Sequence, residues 1–98
     1  MNNEAEFKAF LSKEPTITSS KAISSRVVKV NNAEVILKEI NGDITLDDIV
    51  ANDDLMYDSL LALQPHENPK HTPMQNALRK YYKFRNGCEF PRLRDYKR

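Results

Sequence analysis

The sequence predicts an all-α fold, a compact bundle of four to five short helices with a basic C-terminal extension. Three observations lead there. Apolar residues recur at spacings of three and four along most of the chain, and the prolines and both glycines fall between those stretches or at their first positions. The segment richest in β-branched residues contains Val35, Ile36 and Leu37 in succession, which a strand would divide between two faces. A chain of 98 residues suffices for one core and is short for two ordinary domains, so residues 1–87 are expected to form the bundle and 88–98 the extension.

The first helix is expected from Glu4 to Lys13, with Phe7, Phe10 and Leu11 on one face and Pro15 ending it. The loop TITSS then supplies an N-cap from Thr18, Ser19 or Ser20. The following stretch, SSKAISSRVVKVNNAEVILKEING, can be read with two periods. As a helix, Ile23, Val27, Val30, Ala33, Leu37 and Ile40 form one seam, widened by Val28, Val35 and Ile36. As strands, RVVKV and EVILKEI are followed by the turn-forming pairs Asn31-Asn32 and Asn41-Gly42. The unbroken seam favours the helix, and Asn41-Gly42 then marks its stop.

Thr45 and Asp48 have the spacing of a capping box for a short helix from Leu46 to Ala51. Asn52 or Asp53 caps the next, Asp53 to Leu63, whose Leu55, Met56, Leu60 and Leu63 face the core; Pro65 stops it. After the loop PHENPKHTP, Thr72 is expected to cap a last helix running from Pro73 to Arg85, with proline at its first position and Gly87 beyond its end. Its Met74, Ala77, Leu78, Tyr81, Tyr82 and Phe84 cover a wide face. In CEFPRLRDYKR, the spacing of Phe90, Leu93 and Tyr96 allows a single packed turn or a loose tail.

Net charge is only +1, but it is unevenly spread. The last twenty residues carry Arg79, Lys80, Lys83, Arg85, Arg92, Arg94, Lys97 and Arg98 against Glu89 and Asp95, whereas the preceding residues hold more acids than cations. Such asymmetry points to a polyanion partner or to pairing with the protein's own acidic body. Within ALRKYYKFRNG, residues 77–87, Leu78, Tyr81, Tyr82 and Arg85 share one side of a helix, while Arg79, Lys83 and the more peripheral Lys80 share the other. Those cations read equally as a solvated face or as phosphate contacts.

Other chemistry finds little support. Asp43, Asp47, Asp48, Asp53, Asp54 and Asp58 lack the order of a calcium loop and read as acids placed at helix starts. His66, His71 and Cys88 fall short of a zinc set. No glycine-flanked nucleophile or phosphate-cradling loop is present, so no enzymatic activity, cofactor, metal or small-molecule substrate is expected. There is no apolar run near the ~20 residues of a membrane span. The acidic MNNEAEFKAFL does not look like a secretory leader, and the single cysteine agrees with a cytoplasmic setting.

Taken together, FKAFL, the long second helix, LDDIV, LMYDSLLAL and ALRKYYKFRNG resemble the N-terminal core-binding, SAM-like domain of tyrosine recombinases and phage integrases. Ala77, Leu78, Arg79, Tyr81, Tyr82, Phe84 and Gly87 match the usual look of that family's last helix, and the similarity spans roughly Phe7 to Gly87. The resemblance implies a SAM-like bundle that closes over duplex DNA as half of a clamp, while a separate domain cuts; Tyr96 is then no nucleophile. Expected contacts are Arg79, Lys80, Lys83 and Arg85, with Arg92, Arg94, Lys97 and Arg98 as a supporting arm. The rival expectation is a small regulatory protein of a mobile element that binds another protein through its acids or exposed aromatics.

Overall fold

The computed structural model describes residue 1 and residues 3–97, leaving Asn2 and Arg98 outside. It contains α1 (Glu4–Ser12), α2 (Ser20–Asn41), α3 (Leu46–Val50), α4 (Asp53–Leu63) and α5 (Pro73–Asn86), with 3₁₀ turns at Gln64–His66 and Leu93–Asp95. The described residues form no strand, only an isolated bridge between Asn68 and His71. The all-α expectation therefore holds, and the ambiguous segment is a single helix. Ser19 starts it from extended backbone, its Oγ accepting from the Ala22 amide at 3.1 Å.

Only one arc of α2 enters the core. Val27, Val30, Ala33 and Leu37 are buried, Ile23 and Ile36 half-buried. The wider seam expected from sequence is corrected at three positions: Val28, Val35 and Ile40 are 54%, 58% and 53% exposed. Val28 and Val35, seven residues apart, lie on the arc opposite the core. Ile40 is at the edge of the buried arc in the last turn before Gly42.

The remaining caps explain how short helices persist. In α3, Thr45 Oγ1 accepts from the Asp48 amide and the Asp48 carboxylate accepts from the Thr45 amide, both at 3.1 Å. Glu34 of α2 accepts from the Leu46 amide, tying the two helices together. Asn52, rather than Asp53, caps α4 through the Leu55 amide. The expected cap of α5 is corrected: Thr72 makes no side-chain cap bond. Glu67 supplies both oxygens instead, accepting from the amides of Met74 and Gln75. The turn at Gln64–His66 and the Asn68–His71 bridge fold the loop back so that a residue distant in sequence does the capping.

The centre is filled by Phe7 and Leu11 of α1, Leu37 of α2, Ile49 of α3, Met56, Leu60 and Leu63 of α4, and Leu78 and Tyr81 of α5. The chain after Gly87 packs rather than hanging loose. Phe90 is buried edge-on against Tyr82, and Tyr96 stacks on Tyr57 of α4. Three tyrosine hydroxyls donate to carboxylates of the acidic segment: Tyr81 to Asp47 at 2.7 Å, Tyr82 to Asp53 at 2.8 Å and Tyr96 to Asp54 at 2.6 Å. The middle acids thus serve as helix-start charges and as acceptors for the C-terminal aromatics.

Candidate nucleic-acid interface

α2 and α5 form the most extensive helix pair in the molecule, and a groove follows one side of it. On α5, Asn76, Arg79, Lys80 and Lys83 recur at spacings of three and one, so they share one face. On α2, Ala22, Ser25, Arg26 and Lys29 repeat that spacing and line the facing wall. The groove has two recesses. The first, of about 590 Å³, lies among Arg26, Arg79, Lys80, Lys83 and Arg92. The second, of about 540 Å³, continues through the shared Arg26 and Asn76 towards Lys29, Lys70 and His71.

The expected contact residues divide between this groove and elsewhere. Arg79 is half-buried, its Nη1 donating to the carbonyls of Phe90 at 3.0 Å and Pro91 at 3.2 Å. Its guanidinium also lies 5.8 Å from the Phe90 ring centre. Burial lowers its pKa from the ordinary arginine value; Glu89 opposes that shift and the neighbouring Arg92 adds to it. Lys80 and Lys83 are not a simple solvated face. Their ammonium groups converge on Glu14, at 2.9 and 3.1 Å, and that carboxylate is itself buried. The hydrogen bond from Lys80 holds Glu14 below the usual carboxylate range; burial works against this and Lys83 reinforces it.

The exposed Glu89 stands 3.9 Å from the Lys83 ammonium, so Glu14 and Glu89 together offset the two lysines and the positive charge of the recess comes from its arginines. Among these, Arg92 comes from the extension. Arg85 turns to the other side of α5, 3.3 Å from Asp47 and over the ring of Phe84. Arg94 and Lys97 are exposed but line neither recess, and Arg98 lies outside the described residues. The single surface expected from α5 and the tail is therefore assembled in part, from Arg79, Lys80, Lys83 and Arg92.

Sequence reasoning missed Arg26, Lys29 and Lys70. A signal existed for the first two, whose three-residue spacing in α2 puts them on one flank of the apolar seam. Lys70 had none, because only the fold-back of the 64–72 loop brings it alongside α2. Among the described residues, Arg26, Lys29, Lys70 and Arg92 make no ion pair with a carboxylate. No group of three or more His, Cys, Asp or Glu among these residues is placed to hold a metal ion, and no helix is long and apolar enough to cross a membrane. Compared with known proteins, the chain matches no protein-family model, no curated protein and no solved structure.

Proposed function

We propose that this protein binds duplex DNA without catalysis, gripping phosphates along the groove between α2 and α5. The observation that carries the reading is the set of cations Arg26, Lys29, Lys70 and Arg92, without an ion pair among the described residues, lining two connected recesses. Like charges gathered in a concavity focus a positive potential outward, and a polyanion relieves their mutual repulsion. Asp47 and Asp53 lie on the other side of α5, occupied by Tyr81, Tyr82 and Arg85, and on the groove side Glu14 and Glu89 are engaged by Lys80 and Lys83. The similarity of α5 to the last helix of recombinase core-binding domains supports the same reading.

The test is fluorescence anisotropy with a labelled duplex across salt. Four phosphate contacts give a slope of log K against log salt of about −3.6. Arg26→Glu combined with Arg92→Glu should lower affinity and make the slope clearly shallower. Both side chains are free of ion pairs, so this pair spares the buried Glu14 cluster that Lys80→Glu or Lys83→Glu would disrupt. Absence of binding at low salt, or binding indifferent to the double change, overturns the reading. A second reading, docking of a partner protein, rests on the outward Val28 and Val35. It predicts a complex lost on Val28→Ser with Val35→Ser and untouched by the groove variants.

A further inference from the structure

The geometry points to the recess among Arg26, Arg79 and Arg92 as a site for a phosphate monoester, so that the groove receives the phosphorylated end of a nucleic-acid strand. This rests on the nucleic-acid reading above and specifies its ligand. A monoester carries roughly −1.5 to −2 charges near neutral pH and has three terminal oxygens. An internal phosphodiester carries a single charge, so a cluster of guanidinium groups favours the monoester. Arginine is also the side chain best shaped to grip it, through paired N–H donors.

The donors are partly fixed in advance. Arg79 is anchored by two carbonyls and a ring, so little of its side-chain freedom remains to be lost on binding. Arg92 stands near enough to disfavour the charge on Arg79, a repulsion that a bound dianion removes. Thr16 and Asn76 add neutral donors to the same recess.

The groove is also one-ended. At the Lys83 end stand Glu14 and Glu89, the latter 3.9 Å from the Lys83 ammonium and itself part of the lining of the arginine recess. Carboxylates there oppose any further phosphate. In the other direction, Arg26 and Asn76 open onto Lys29 and Lys70, which continue the positive lining. A strand with its terminal phosphate among the arginines therefore has one cationic exit, past Asn76.

The experiment compares two duplexes of identical sequence, one with a 5′-phosphate and one with a 5′-hydroxyl at the unlabelled end, binding to the full chain. The phosphorylated duplex should bind about tenfold more tightly, the scale of an added set of charge-assisted hydrogen bonds. Arg92→Gln should weaken both duplexes but the phosphorylated one by more, bringing the preference to near unity, and Asn76→Ala should reduce it in part. Equal affinity for the two duplexes overturns the inference and leaves the nucleic-acid reading standing. Failure of both to bind at low salt overturns both. Inorganic phosphate binding more tightly than the phosphorylated end assigns the recess to a free phosphate and overturns the strand-end assignment.

Discussion

Two buried polar side chains show opposite economies. Ser59 of α4 is fully buried, and its hydroxyl has no hydrogen-bond partner among the described residues. Ser59→Ala removes an unsatisfied group and improves helix propensity, so it should stabilise the fold by up to about 1 kcal/mol. Calorimetry should register that as a rise of several degrees in Tm, roughly 4–8 °C per kcal/mol for a domain of this size. Glu14 is the contrary case, because its carboxylate has two partners and its pKa is lowered from 4.5. A carboxyl depressed in the folded state contributes stability that is present above its unfolded pKa and lost as pH falls through the folded value. Wild type should therefore exceed Glu14→Gln in Tm near neutral pH, and the gap should close as acid is added below 4.5. A constant gap across that range would show that Glu14 acts through packing alone. The cations of this cluster were legible in the sequence, but their acid was not. Glu14 follows a short helix, 66 positions before Lys80, and no local pattern reports so distant a pairing.

At the scale of elements, local chemistry proved the better guide. The capping box of α3, the proline at the start of α5 and the glycine after it follow directly from residue types at fixed offsets. Gly87 has φ +77 in the left-handed region, and a Cβ there would meet nothing within 4 Å. Gly87→Ala should therefore cost about 1–2 kcal/mol from backbone strain alone. Gly87→Asn should cost less, which chemical denaturation of the two variants can compare. The width of α2's apolar face was misread for a physical reason: periodicity locates the centre of a seam, while the neighbouring elements decide how much of its flank is covered. Ile40, at the edge of the seam, is such a flank position, whereas Val28 and Val35 fall opposite the seam by the helical period itself and are apolar without belonging to it. Likewise Thr72 has the right residue type for a cap, yet a loop folded by other forces delivered Glu67 in its place.

For the whole molecule, α5 acts as a partition. One of its sides meets the acids of α3 and α4 through Tyr81, Tyr82 and Arg85, and the other forms the groove wall with Arg79, Lys80 and Lys83. The uneven distribution of charge along the sequence thus becomes a separation of charge across the fold, although the acids and cations responsible come from both halves of the chain. That separation was foreshadowed by the basic C-terminus; the contribution of α2 was not, since its cations are masked by the acids that outnumber cations over residues 1–78. The extension joins both sides, with Arg92 in the groove and Tyr96 bonded to Asp54.

The clasp between α1 and α5 has a consequence for synthesis. α1 has nine residues and no side-chain cap, too little to hold a helix by itself in water. Phe7 packs edge-on to Tyr81, the Asn3 amide donates to the Tyr81 hydroxyl, and Glu14 closes on Lys80 and Lys83. All of these partners are made late. During synthesis α1 must wait until α5 has emerged before it finds a seat, so it is among the last parts of the bundle to settle.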